Sequence, residues 1–355
     1  MRSPDRFFSA EQVEQSRRYH RPLYVAQAID LVLGLLVLGL LAAFADWRIG
    51  PWWLAAPLLA AIAVAVSAFV RLPVVFWSGY VNEHRWGFST QSVAAWAGDF
   101  FRKLLVACVF AAIPVLGVVG LAHALPSWWP VVAAPLAALF VLVVGFLAPV
   151  VLEPLFNRFE PLADEELAAE LRVLAVRAGV PVRDVLVADA SRRTTKVNAY
   201  VSGLGSTRRV VLFDTLLRRA ARPELELVLA HELGHRRARH VVKGTVLGML
   251  GAVAGTFVVW AVLDDPRDPT VAPLVLFVAM VLELLTLPFW TALSRRFERE
   301  ADRFSLDLTH DRDAFVTVHR ELATANLSDL DPPRIVYRIL FTHPTAPERI
   351  ASAFA

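Results

Sequence analysis

His231 and His235 stand four residues apart in the run His231-Glu232-Leu233-Gly234-His235. On an α-helix that spacing stacks two side chains on one face, so both imidazoles can turn a nitrogen toward a single metal ion. Glu232 follows the first histidine and falls beside that face, within reach of a water at the metal without being a ligand itself. Two imidazoles flanking a carboxylate base form the helical arrangement of zinc hydrolases. Catalytic zinc takes three protein ligands and keeps a fourth position open, so one more ligand must come from elsewhere in the chain. The same pentapeptide also arises on polar surface helices that bind nothing. The elements around it decide between the two readings.

Those elements are mostly apolar. Hydrophobic residues make up 56% of the 355 positions, more than a soluble domain usually carries. Six stretches, near 23–45, 53–79, 104–122, 127–152, 241–263 and 271–293, have the roughly 20 apolar residues that a bilayer crossing requires. Ala43-Phe44-Ala45 resembles a signal-cleavage site. The apolar run before it is too long for a signal core and more spans follow, so it reads as a retained anchor. Arg17, Arg18, Arg21, Arg85, Arg102, Lys103, Arg295 and Arg296 flank one set of span ends. The opposite connections, Asp46-Trp47-Arg48, 123–126 and 264–268, are poor in positive charge. This alternation places both termini and the 153–240 region on the cytoplasmic side. The net charge of +3 follows from that bias, and no basic repeat with interleaved aromatics suggests a nucleic-acid partner. Cys108, the single cysteine, lies within the third span and reads as inert.

The fifth and sixth spans make a hairpin over 241–293, and a two-span hairpin returns the chain to the face it left. The HExxH segment is thereby brought near Ser294–Asp302, which carries three carboxylates, Glu298, Glu300 and Asp302. Glu298 and Asp302 are four residues apart and share a helix face, while Glu300 points away. A His, His, Glu set with an open position is a catalytic zinc geometry, and zinc histidines usually donate their second N–H to a carboxylate. Glu298 is therefore expected as the third ligand and Asp302 as its supporting neighbour, for one Zn²⁺ per chain. The three-histidine alternative needs a glycine at position 238 and a histidine at 241; alanine and valine stand there. His240 is read as an interfacial residue.

The 153–240 region reads as a small α+β unit. Residues 163–178 have amphipathic helical periodicity, with acidic residues in the first turn and Gly179 beyond the end. Residues 185–188 and 209–213 read as strands, with 198–203 extended between them and Gly203 and Gly205 in the turn. Pro223 suits the first helical position of the HExxH helix, and Leu225, Val228 and Leu229 build its buried face. The expected architecture is a polytopic α-helical membrane protein of about six transmembrane helices with a small α+β zinc-metalloprotease domain on the cytoplasmic side. Its units are a membrane domain over 1–152 with four spans and a peptidase domain over 153–355.

Several segments together resemble the CAAX prenyl protease type 1 family of integral-membrane zinc metalloendopeptidases. They are Glu153-Pro154-Leu155-Phe156-Asn157-Arg158-Phe159, Asn198-Ala199-Tyr200-Val201-Ser202-Gly203, the 209–217 run, HELGH, Ser294–Glu298 with Ala301-Asp302, and His343-Pro344 with Glu348-Arg349. The resemblance implies His231, His235 and Glu298 on zinc and Glu232 as base. It also implies that His343 and Arg349 reach the active site, and that a substrate strand runs over Asn198, Ala199 and Tyr200. Spacing alone places neither His343 nor Arg349. The chain has six spans where well-known members have seven, and its composition looks bacterial, which puts a prenylated substrate in question rather than the chemistry. The expected partners are a membrane-associated polypeptide, including those of CaaX type, and the bilayer. A general quality-control protease without prenyl dependence is the alternative, and oligomeric state is not legible.

Arg71 and Glu283, ionisable groups within spans, are candidates to line a chamber or to pair with each other. A transporter using Asp30, Arg71 and Glu283 would explain the spans but leave the HExxH and Glu298 arrangement to coincidence, and no internal repeat supports it. An inactive scaffold is the third class, disfavoured because every residue catalysis needs is present.

Overall fold

The computed structural model describes residues 4–44, 47, 49–203 and 208–354. Ala45, Asp46, Arg48 and Gly205, named above, lie outside the described residues. Helices α1 (Ala10–Phe44), α2 (Trp52–Phe76), α3 (Asn82–Arg85), α4 (Val93–Ala124) and α5 (Trp129–Leu147) form the N-terminal part. The short α6 (Glu153–Phe156) leads into β1 (Phe159–Pro161), α7 (Glu165–Arg177), β2 (Asp184–Ala188), β3 (Ala199–Ser202), β4 (Arg209–Phe213) and α8 (Asp214–Leu217). Then come α9 (Arg222–Arg237), α10 (His240–Val262), α11 (Ala272–Thr309), α12 (Arg312–Ala325), α13 (Arg334–Leu340) and α14 (Ala346–Ser352). Six helices among the described residues are long and apolar enough to cross a membrane: Ala10–Phe44, Trp52–Arg85, Val93–Ala124, Trp129–Leu147, His240–Val262 and Pro269–Thr309. They match the six expected spans, and most run past the apolar stretch that marks them.

The overrun matters most in α11. Its 38 residues make a rod of about 57 Å at 1.5 Å per residue, far longer than the ~30 Å hydrocarbon core. The third-ligand segment is thus the continuation of the sixth span, and a stiff helix carries Glu298 and Asp302 to the HExxH helix. Between the spans the core is mostly small and aliphatic, with Ala56, Leu59 and Ala60 of α2 against Val115 and Val119 of α4 and Val275 and Val278 of α11, and the large Trp129 ring of α5 buried with them. Arg71 closes on Asp30, with Nε to Oδ1 at 2.8 Å and Nη2 to Oδ2 at 2.5 Å. Glu283, the other expected partner, is exposed. Asp30 on α1 can reach Arg71 because the first two spans pack together, which hydropathy does not reveal.

The α+β unit forms a four-stranded sheet in the order β1-β2-β4-β3. The β2–β4 pair is parallel, and the outer strands β1 and β3 run antiparallel to their neighbours. Strand β1 went unrecognised in the sequence because three residues ending in proline carry no alternation to read. Asp164 caps α7 by accepting from the Leu167 amide at 2.9 Å, and Gly179 ends it at φ 69°, a conformation that favours glycine. Leu171 and Leu174 of α7, Val210 and Leu212 of β4, and Leu225, Leu229 and Leu233 of α9 share one core. The buried stripe of α9 therefore fixes its opposite face toward α11.

Gly234 makes that approach possible. A Cβ at this position would lie 3.1 Å from Ala301 Cα and 3.3 Å from Ala301 O. Both atoms belong to the α11 backbone and cannot swing aside, so the glycine of HELGH is a packing requirement. Gly234→Val is expected to force α9 and α11 apart and to lower stability by about 1–3 kcal/mol, the usual cost of overpacking. Thermal unfolding of the detergent-solubilised protein tests this; an unchanged midpoint would show that the helices can separate freely.

Candidate metal centre

His231, His235 and Glu298 come together with one ligand atom from each within 4.8 Å of the others. The edges are shorter than that bound: His231 Nε2 to His235 Nε2 is 3.1 Å, His231 Nε2 to Glu298 Oε2 is 3.3 Å, and His235 Nε2 to Glu298 Oε1 is 3.2 Å. Tetrahedral zinc with bonds of ~2.0–2.1 Å sets its ligand atoms ~3.3 Å apart. Glu298 Oε2 is also buried without a hydrogen-bond partner. A carboxylate oxygen stripped of water and left unpaired is costly unless a cation meets it. On both counts the donor set fits a zinc-sized cation, which His231, His235 and Glu298 would hold.

Asp302 lies against the outer nitrogen of His231. Its Oδ1 lies 2.9 Å from His231 Nδ1, and the residue is 2% exposed. That bond puts the His231 proton on Nδ1 and leaves Nε2 free to ligate. Arg349 grips the same carboxylate from α14, with Nε to Oδ2 at 2.9 Å and Nη2 to Oδ1 at 2.5 Å. Its Nη1 also reaches within 3.9 Å of Glu298 Oε2. A local signal for this placement exists in hindsight. Thr345 and Glu348 form a capping box on α14, and the buried Ile350 anchors that helix beside Phe8 and Val13.

His343 enters from the loop before α14, its Nε2 3.3 Å from Glu298 Oε1 and its side chain 58% exposed. Arg295 orders the approach to that loop. It is buried and donates to the backbone carbonyls of Tyr337, at 3.0 Å, and of Phe341 at the end of α13. The Ser294–Glu298 segment thus supplies both a ligand and the brace for His343. Partial desolvation beside the cavity lowers the His343 imidazole below its usual pKa, with Glu298 opposing the shift.

Glu232 lines a cavity of about 560 Å³ together with His231, Glu298, His343, Asn198 and Ala199. Burial raises its carboxyl pKa, and the two neighbouring imidazoles pull the other way. His319 of α12 was missed by sequence reasoning, since no motif surrounds it. It is 5% exposed, its Nε2 lies 3.8 Å from Asp302 Oδ1, and burial beside Arg349 depresses its pKa to about 3, leaving a neutral ring.

The structure corrects one reading at this site and extends another. His240 is not an interfacial residue: it is buried and its Nδ1 lies 3.0 Å from His235 Nδ1. Glu300 does point away from the metal donors, but it turns onto His240, with Oε2 3.2 Å from Nε2.

Asn198, Ala199 and Tyr200 fall on or beside β3, the sheet edge lining the cavity. The Phe213 amide donates to Asn198 O at 3.0 Å, so Asn198, Tyr200 and Ser202 turn their backbone groups toward β4 and Ala199 and Val201 turn theirs outward. The outward Ala199 amide is held by Asn198 Oδ1 at 2.9 Å, and the Val201 carbonyl accepts from Arg236. Among the described residues, the Ala199 carbonyl and the Val201 amide remain open. Glu153 stiffens this edge from behind, accepting from Ser202 Oγ at 2.9 Å and lying 3.4 Å from Arg209 Nη2.

The two-histidine, one-carboxylate set on a helix pair rooted in six apolar spans defines the class: the chain belongs to peptidase family M48, whose model matches residues 161–354. Residues 6–158 match a second model, described as the CAAX prenyl protease N-terminal region with five membrane helices; four of the candidate spans fall in that stretch. The protein is an integral-membrane metallopeptidase. It is 32% identical over 301 residues to the uncharacterized metalloprotease YhfN of Bacillus subtilis, a match covering 81% of this chain and 70% of that protein. It is 28% identical over 327 residues to CAAX prenyl protease 1 of Saccharomyces cerevisiae, covering 81% and 69%. The crystal structure of Ste24p from S. mikatae superposes with a TM-score of 0.80 at 22% identity, over 98% of this chain and 89% of that one.

Proposed function

We propose that this protein is a zinc endopeptidase that cuts membrane-associated polypeptides at the cytoplasmic face of a bacterial membrane. The carrying observation is the buried Glu298 carboxylate, whose Oε2 has no hydrogen-bond partner and lies 3.3 Å from His231 Nε2 while its Oε1 lies 3.2 Å from His235 Nε2, at tetrahedral spacing. The basic residues at one set of span ends support the orientation. The same reading divides the chain into a membrane unit over 1–152 and a peptidase unit over 153–355.

When bound, zinc supplies a Lewis acid that polarises the scissile carbonyl and lowers the pKa of a water. Glu232 takes the proton of the attacking water and passes it to the departing amine nitrogen. Its position beside the ligands and its burial suit a carboxylate that must both accept and release a proton. His343 donates from Nε2 to the carbonyl oxygen as charge develops there, with its exposed face turned to the cavity. Arg349 holds Asp302, which holds His231, and places a positive charge behind Glu298. The substrate adds to β3 as an extended strand, donating an N–H to the Ala199 carbonyl and accepting from the Val201 amide. Main-chain recognition of this kind depends little on side chains, which favours the reading of a general membrane quality-control protease alongside the CaaX reading.

One experiment separates these. The purified protein is given a farnesylated CaaX peptide and, side by side, an unmodified fragment of an unfolded membrane protein. Cleavage of the farnesylated peptide alone assigns CaaX processing, and cleavage of the fragment assigns quality control. Stripping with a strong chelator is expected to abolish turnover and one equivalent of zinc to restore it. Undiminished turnover in metal-free protein would overturn the zinc assignment.

A further inference from the structure

His231 and His235 are held in different ways. The first gives its Nδ1 proton to a buried carboxylate, Asp302, whereas the second meets another imidazole, His240, Nδ1 to Nδ1 at 3.0 Å. Two facing ring nitrogens make a hydrogen bond only if one carries a proton and the other does not. His235 turns Nε2 toward His231 and Glu298, so its proton belongs on Nδ1. His240 must then accept at Nδ1 and carry its own proton on Nε2. That nitrogen lies 3.2 Å from Glu300 Oε2, and a carboxylate only accepts. The three residues thus allow one consistent assignment, read from Glu300 inward.

We infer that His240 and Glu300 are positioning residues of the metal centre, a relay in which Glu300 fixes the tautomer of His240 and His240 fixes the tautomer and ring plane of His235. Two further features hold the relay in register. The His240 ring stacks on Phe297 with centroids 4.0 Å apart and planes 10° from parallel, and Phe297 directly precedes the ligand Glu298. Arg239, between α9 and α10, adopts φ 56°, a left-handed turn that is costly for a residue with a Cβ. The sharp reversal brings the first residue of α10 back over the last ligand of α9. The relay joins the C-terminal end of the HExxH helix to the outer face of α11, so the two zinc histidines are each tied to α11, by Asp302 on one side and by Glu300 on the other.

The inference rests on the zinc reading above, and its test keeps the two apart. Zinc stoichiometry and Kd are measured by chelator competition for the full-length protein in detergent, together with the d–d spectrum of the Co²⁺-substituted form. The variants are His240→Phe, which keeps the stacking ring and removes both nitrogens, Glu300→Ala, and Glu300→Gln. Failure of the unaltered protein to bind one zinc would overturn the metal reading itself. With one zinc bound, His240→Phe and Glu300→Ala are expected to weaken affinity about 10–100-fold, the usual effect of losing a partner behind a ligand, and to shift the Co²⁺ bands. Glu300→Gln, whose amide oxygen still accepts from Nε2–H, should recover most of the affinity. The double variant should lose no more than His240→Phe alone, since both act through one chain of bonds. Because Glu300 is exposed, its replacement leaves the fold intact, and the thermal midpoint of the metal-free protein checks this. Affinity within twofold of the unaltered protein and an unmoved Co²⁺ spectrum in Glu300→Ala, or strictly additive losses in the double variant, would overturn the relay.

Discussion

Glu232→Gln is expected to leave zinc bound at full stoichiometry and to lower kcat by at least about 10²–10⁴-fold, the contribution of a well-placed general base. The two halves of this result have separate causes. The carboxylate lines the cavity next to His231 and His235 but is not among the three donors that approach one another. Glutamine therefore removes no ligand and nearly preserves shape. It cannot accept the proton of water, however, and about 1.4 kcal/mol of lost transition-state stabilisation costs a factor of ten. Burial holds the Glu232 carboxyl above its ordinary pKa, which brings it toward the range where it can also return the proton to the amine. Turnover on a quenched fluorescent peptide and zinc content on the same sample provide the measurement. Loss of metal together with activity would make Glu232 a ligand rather than a base.

Asp302→Ala carries the second large effect, and it falls on stability as well as on metal binding. Asp302 is almost fully buried and receives His231 Nδ1 at 2.9 Å and two nitrogens of Arg349 at 2.9 and 2.5 Å. Removing the carboxylate leaves the buried Arg349 guanidinium without its two close hydrogen bonds and with only the Glu298 carboxylate, at 3.9 Å, as counter-charge. Breaking one side of such a pair costs about 3–5 kcal/mol, because the remaining charge has lost its water without gaining a partner. The His231 ring is freed at the same time, for a further loss of about 10–100-fold in zinc affinity. The paired replacement Asp302→Ala with Arg349→Met should recover much of the stability, since no uncompensated charge is left, yet recover none of the zinc affinity. Thermal unfolding with and without zinc of the unaltered protein, Asp302→Ala, Arg349→Met and the double variant distinguishes the two effects. Equal stability of Asp302→Ala and the double variant would mean that the stranded charge is solvated after all.

The sequence by itself determined whatever depends on local period. Twenty-residue apolar runs set the six spans, because a bilayer leaves a helix no alternative way to satisfy its backbone. Spacing of four put His231 with His235 and Glu298 with Asp302, and the hairpin between them brought the two pairs to one face. Strands β2 and β4 were legible from apolar runs, while β1 was too short to announce itself. The tertiary structure alone decided which distant groups complete the site. Arg349 lies 47 residues from Asp302 in the chain, and His319 and His343 carry no spacing that links them to HELGH. Pairing of Arg71 with Asp30, the turn of Glu300 onto His240, and the need for Gly234 against Ala301 all arise where two helices touch. Such contacts are set by how rigid elements pack, and a side chain's partner across that packing leaves no periodic trace in its own segment.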